Sequence, residues 1–393
     1  MEGNVMKVLY VGGFELPDKN AAAQRVFANA KLLRDAGCQV TFVGVDKTLR
    51  KGISFEETQF IYEGFTCYSV RYPSSSTEWF RYISSVSYLK HIETTAFPDM
   101  IIAYNYPAPA LYKLKRWCKK HNVKLVSDCT EWYAPRGKGL YRMAKWLDTY
   151  VRMKFLHPRL DGMIAVSQYL YQYYNKRMDH VYMLPPLVDK EQEKWSFNSR
   201  EIRNNNVRQL IYAGSPEGGK DRIDIMIKAL SAIRKHCSLD IRLLVIGISR
   251  EQYVTMYDAT FPMEDSFVEF KGRIPHEEAI RYVHDADFQI FIRENNLTNR
   301  AGFPSKFVES MSCGTPVITN RMNNLDAYLK NGVNGFFVDY DNIESLTNTL
   351  SAPLNISRKE IEQLRSNCEK LYFFNYRVYV DSLGEFLKLR VCG

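Results

Sequence analysis

Short runs of β-branched and aliphatic residues recur along this 393-residue chain and alternate with segments of helical periodicity. Strands separated by a helix pair in parallel, because the crossover is too long for a hairpin, and parallel strands need cover on both faces. The alternation therefore constrains the chain to α/β sheets coated with helices. The first half offers runs at 7–11, 39–45, 100–103, 124–127 and 162–166; the second offers 209–213, 241–246, 267–270, 288–292, 316–318 and 335–338. Each set suffices for its own doubly wound, Rossmann-like sheet, and the length accommodates two domains. Residues 190–208 (KEQEKWSFNSREIRNNNVR) are polar and asparagine-rich, as expected of a linker. The expected domains are 1–195 and 206–372, with a last helix at about 373–393 packing back onto the first.

Ligands of such sheets bind beyond the carboxyl ends of the strands, so the loops there are the places to look for chemistry. After the first strand comes Gly12-Gly13, followed by Asn20 as the N-cap of a helix over 21–36. The glycines let a backbone approach a ligand; an ordinary tight turn is the alternative. A second loop, Gly214-Ser215-Pro216-Glu217-Gly218-Gly219-Lys220-Asp221, brings glycines and one lysine to a helix start, which suits a phosphate. It is not a Walker A loop, since the Ser or Thr position holds Asp221. A third segment, Gly302-Phe303-Pro304-Ser305-Lys306, opens a helix whose first-turn amides can bind an anion. Glu309, four residues after Ser305, lies on the same helical face and can reach past the anion to accept from two ribose hydroxyls.

The run FPSKFVESMSCGTPVIT, with NGVNGFFVD at 331–339, resembles the signature of glycosyltransferase family 4, retaining nucleotide-sugar transferases of the GT-B fold, and most resembles members from bacterial capsule, O-antigen and exopolysaccharide pathways. The resemblance covers nearly the whole chain. It implies two Rossmann-like domains and a nucleotide-sugar donor site with neither cofactor nor metal. Gly12, Gly13, Gly214, Ser215, Lys220, Ile274, Arg293, Gly302, Phe303, Pro304, Ser305, Lys306 and Glu309 would bind the donor. In this reading Lys220 meets the diphosphate, Glu309 the ribose and the Ile274 backbone the base. Asp128 and Glu131, after a first-half strand, would orient the acceptor hydroxyl or support the reacting carbon; helix capping or a structural hydrogen bond is their alternative. The sequence departs from the family at Ala301, where a glutamate normally touches the donor sugar, at Ser215 for an arginine, and at Thr130 near the usual histidine. Arg293 and Lys306 are expected to supply the charge of the missing arginine.

Charge sharpens the partner question. Lys and Arg total 53 against 44 Asp and Glu, a net +9, yet residues 1–205 carry +10 and the remainder −1. Residues 113–160 alone hold 13 basic side chains and three acidic ones. Within them, 139–157 maps onto a helix with Leu140, Met143, Ala144, Leu147, Tyr150, Val151 and Phe155 on one face and Arg142, Lys145, Thr149 and Arg152 on the other. Such a helix could lie on an anionic membrane surface, with Arg142, Lys145 and Arg152 as its contacts; the alternative is that its apolar face packs on its own sheet and its basic face meets solvent, and the two are compatible if the cations alone touch lipid headgroups. Nucleic acid is disfavoured as a partner, because no binding motif accompanies the charge. A non-catalytic nucleotide-sugar-binding relative is the remaining alternative. No stretch reads as a transmembrane helix or secretory leader, and scattered cysteines without a Cys-x-x-Cys pair suit a reducing cytosol. The expected location is cytoplasmic, either free or peripheral on the cytoplasmic face of the membrane, and the expected acceptor is a saccharide or lipid-linked acceptor.

Overall fold

The computed structural model describes residues 5–17, 19–133, 139–197, 206–216, 220–257, 267–322 and 325–391. One sheet contains β1 (Met6–Gly12), β2 (Cys38–Asp46), β3 (Phe60–Tyr62), β4 (Phe65–Arg71), β5 (Met100–Tyr104), β6 (Lys124–Cys129), β7 (Gly162–Ala165) and β8 (Val181–Met183). Their order is β3-β4-β2-β1-β5-β6-β7-β8. A second contains β9 (Val207–Ala213), β10 (Asp240–Ile246), β11 (Val268–Gly272), β12 (Phe288–Phe291), β13 (Val317–Asn320) and β14 (Gly335–Val338), ordered β11-β10-β9-β12-β13-β14. All pairings are parallel except β3 with β4. These are the two helix-covered α/β sheets expected from the alternation.

The apolar runs are continuous because both faces of each sheet are covered. Along β1, Val8 and Tyr10 join one buried cluster while Leu9 and Val11 join another. The β3–β4 hairpin was not legible in the pattern. Its turn places Glu63 and Gly64 at positive φ (45° and 82°), the geometry of a type I′ turn, and glutamate is not a residue that announces one.

The chain forms two compact units, Met1–Val188 with Ala301–Phe303 and Asn375–Gly393, and Asp189–Arg300 with Pro304–Phe374. The first unit thus includes the last helix, Val380–Val391, whose Leu383, Phe386 and Leu387 share a cluster with Val26 and Leu32 of the Ala21–Asp35 helix. Asn20 caps that helix, accepting from the Ala23 amide at 2.8 Å. Of the expected linker, residues 198–205 lie outside the described residues, and Trp195 and Phe197 pack against the core of the second unit.

The Gly139–Val151 helix does not follow the packing alternative, because its apolar face is the exposed one. Leu140, Met143, Trp146, Leu147 and Tyr150 are 79, 59, 48, 52 and 40% exposed, whereas Thr149 and Arg152 are 4 and 2% exposed. The polar face is the inward one because it is engaged there. Asp148 accepts from the Ala108 amide at 2.7 Å, at the start of the Ala108–His121 helix. The Arg152 Nη1 donates to the Asn105 carbonyl at 2.8 Å, and Lys145 and Arg152 lie 5.4 and 5.5 Å from the centre of the Tyr133 ring. Lys145 and Arg152 are therefore corrected as membrane contacts: one is half-buried and the other buried. Only Arg142 is exposed.

Candidate functional site

In the second sheet the strand order turns at β9, whose neighbours β10 and β12 lead outward in opposite directions, so a crevice opens at the carboxyl ends of β9 and β12. The loop after β9 ends in Lys220 and Asp221, and the loop after β12 begins near Arg293. Asp221 and Arg293 form an isolated antiparallel bridge at that point. The Asp221 carboxylate is buried. It accepts from Arg293 Nε at 2.8 Å, from the Tyr212 hydroxyl at 2.6 Å and from the Lys306 ammonium, which also donates to the Tyr212 oxygen at 2.9 Å. Burial alone would raise the Asp221 carboxyl, but Lys306 and Arg293 outweigh it and hold it below the usual carboxylate range. Burial pulls the Lys306 ammonium down, and Asp221 offsets only part of that. Two cations and one carboxylate leave one net positive charge beneath the loop.

The expectation for Arg293 and Lys306 is narrowed: the Lys306 ammonium and Arg293 Nε both bond Asp221, so what these side chains bring to the site is that one net positive charge. What Lys306 and Ser305 also offer is backbone: Pro304 precedes the Ser305–Ser312 helix without a side-chain cap, leaving the first-turn amides to a ligand. Lys220 stands at the same edge, its carbonyl held by Asn299 Nδ2 at 3.0 Å. The intervening Glu217, Gly218 and Gly219 lie outside the described residues.

Glycines set how closely the loops approach. The Gly214 amide donates to the Ile246 carbonyl (3.0 Å) and the Gly247 amide to the Gly272 carbonyl (2.7 Å), linking the ends of β9, β10 and β11. A Cβ on Gly247 would lie 2.2 Å from the Gly214 oxygen, at a φ of +105°; only glycine fits. Beside it opens a cleft of about 490 Å³ lined by Ser215, Pro216, Gly247, Ile248, Gln252 and Arg273 among others, within the range of small-molecule sites. Gly247 was missed in the sequence because a single glycine after a strand is a common turn signal. Ile274 packs its side chain into the core and leaves its backbone in the loop. Also missed was His276, whose Nε2 lies 3.2 Å from the Glu309 Oε1. The pair joins the start of one helix to the middle of another 33 residues on, a distance no local pattern reports.

The second unit thus brings together Gly214, Ser215, Lys220, Ile274, Arg293, Pro304, Ser305, Lys306 and Glu309. It does not contain the remaining donor candidates. Gly12, Gly13, Gly302 and Phe303 belong to the first unit. Gly12 is needed for packing, as a Cβ there would meet Tyr104 at 2.8 Å. Phe303 packs against the cluster of Cys129, Met153 and Tyr174, and Ala301 is buried within that cluster, its carbonyl accepting from Ser167 Oγ at 2.7 Å.

Asp128 requires a further correction. It is buried and accepts from Arg25 Nη2 (2.7 Å), the Tyr10 hydroxyl (2.6 Å) and Asn29 Nδ2 (3.3 Å), pinning β6 to β1 and to the Ala21–Asp35 helix. A carboxylate so surrounded has no lone pair left for an acceptor hydroxyl. Glu131 is partly exposed and interacts with Tyr133. Near it, Asn105 sits at φ 42° after β5, its Nδ2 donating to Thr130 Oγ1 at 2.6 Å. Buried Arg152 next to Asn105 keeps Nε and Nη2 without hydrogen-bond partners among the described residues.

Comparisons with known proteins agree with this fold. The model for Glycosyltransferase Family 4 matches residues 22–192, and that for Glycosyl transferases group 1 matches 207–355. No curated protein sequence matched the chain. Among solved structures, sucrose-phosphate synthase from Thermosynechococcus elongatus is 13% identical with a TM-score of 0.67, covering 98% of this chain and 99% of its own. HepE from Anabaena, solved with UDP, is 16% identical with a TM-score of 0.65, covering 98 and 100%. WaaG, a glycosyltransferase involved in lipopolysaccharide biosynthesis, is 14% identical with a TM-score of 0.63, covering 95 and 99%. These neighbours share the GT-B fold.

Proposed function

We propose that this GT-B glycosyltransferase, a Glycosyltransferase Family 4 domain followed by a Glycosyl transferases group 1 domain, moves a sugar from a nucleotide-sugar donor to a saccharide or lipid-linked acceptor with retention of configuration. The observation that carries the reading is the convergence at one switch point of a helix start without a side-chain cap, Lys220 and a buried pair of cations sharing one carboxylate. As the bond from the anomeric carbon to the phosphate breaks and that to the acceptor oxygen forms, negative charge gathers on the leaving diphosphate. Fixed donors and cations placed before the reaction stabilise that charge without reorganising. Lys220 and the amides of Ser305 and Lys306 do this, so the reading calls for neither metal nor cofactor. Glu309, held by His276, accepts from the ribose, and the Ile274 backbone faces the base. Glu131 is the acceptor-side carboxylate that remains. The likeness to WaaG, a glycosyltransferase involved in lipopolysaccharide biosynthesis, supports a place for this transfer in bacterial surface polysaccharide synthesis.

A thermal-shift screen of UDP, GDP, dTDP and ADP sugars tests the donor site, since binding raises apparent stability as ln(1 + [L]/Kd). One nucleotide series should raise the melting temperature of the native chain. Lys220→Ala should lower transfer at least about 100-fold, the scale of losing one group aimed at developing charge; unchanged turnover would remove Lys220 from the mechanism.

A further inference from the structure

The Gly139–Val151 helix shows solvent its apolar face, and we infer that this face inserts shallowly into an anionic lipid bilayer. The inference deepens the lipid-linked part of the proposed function by naming the element and the side that make contact. Trp146 and Tyr150 stack with ring centres 5.2 Å apart, and Tyr150 meets Phe155 edge-on at 5.6 Å. With Leu140, Met143 and Leu147 they form an aromatic and aliphatic strip that nothing among the described residues covers. Such a strip is costly in water, and Trp and Tyr suit the boundary between headgroups and acyl chains. Thirteen residues at 1.5 Å each make about 20 Å of helix, too short to cross about 30 Å of hydrocarbon but suited to lying in its surface.

Charge decides between a bilayer and other occupants. The three acidic residues of 113–160 are all engaged: Asp128 with Arg25, Asp148 at the Ala108 amide and Glu131 with Tyr133. Exposed Arg142, Lys154, Lys113 and Arg116 are left to set the sign of the surface on this helix and on the Ala108–His121 helix that packs against it. Anionic headgroups complement them, at about 1 kcal/mol per nearby cation. A second copy of the chain would set like charge against like across a two-fold axis.

Sedimentation with vesicles of phosphatidylcholine containing phosphatidylglycerol tests this without any donor present. The native chain should bind. Met143→Ser with Leu147→Ser should weaken binding about 100-fold, roughly tenfold for each apolar side chain withdrawn from lipid. The melting temperature should change little, because both side chains are more than half exposed. Ile61→Ser, at an exposed apolar position on β3, should bind as the native chain does. The Trp146 contribution to fluorescence, read against Trp146→Phe, should shift to the blue on vesicles. Binding that survives the double substitution, absence of binding, or a concentration-dependent dimer abolished by the same substitutions would each overturn the inference. Nucleotide-sugar thermal shifts, read on the same variants without lipid, should match the native ones. Absence of those shifts in the native chain would instead count against the donor reading.

Discussion

Asp221 holds the loop after β9 by sitting between two cations, and its removal leaves both charges buried without their counterion. Breaking a buried pair in this way costs about 3–5 kcal/mol. Asp221→Asn should therefore lower the stability of the second unit by that order in urea unfolding at neutral pH. The sign of the pH dependence follows from the lowered native carboxyl. Its contribution is complete above the unfolded value of about 4 and is lost as pH falls below it, so the gap between native and variant should narrow in acid. Loss of donor binding in a folded Asp221→Asn chain would show that the anchor positions Lys220 as well. The sequence displayed Lys220, Ser305 and Glu309 by their place after strands and at a helix start. It could not display which of the nearby cations were already committed, since Lys306 meets Asp221 across 85 residues.

Among the elements, the Gly139–Val151 helix is held by its polar residues. Pro107 precedes the Ala108–His121 helix without a side-chain cap, and Asp148 meets that need from the neighbouring helix. Asp148→Ala should cost about 1 kcal/mol, the scale of a lost N-cap, measurable as a shift in urea midpoint. It should also raise amide exchange in both helices, while Asp148→Asn, which keeps an accepting oxygen, should retain most of the stability. The helical periodicity of 139–157 was plain in the sequence, and so were its two faces. Which face turned inward was not, because an apolar stripe points to the core only when no stronger contact binds the other side.

At the scale of the molecule, each compact unit has its own sheet and core, and the chain's end completes the first. Leu383, Phe386 and Leu387 are buried in the cluster beneath β1 and β2. Removing residues 376–393 should cost the first unit about 5 kcal/mol, taking 1.5–3 kcal/mol for each apolar side chain uncovered. Hydrogen exchange should show it as loss of protection in β1, β2 and β5, with β9 to β13 unchanged.

The amino-acid sequence by itself determined the α/β class, the strands of both sheets apart from β3, β4 and β8, and the loops in which chemistry was sought. Periodicity and punctuation act within a few residues, and each strand or helix carries its own. Tertiary structure alone decided the partners of charged groups: Asp128 tied to Arg25 and not offered to an acceptor, Lys306 and Arg293 paired with Asp221, His276 set against Glu309, and the side of the 139–151 helix that bears Asp148 and Thr149 turned inward. Long side chains can pair across any sequence separation. The low dielectric of the interior makes those pairings strong enough to override where local pattern would place them.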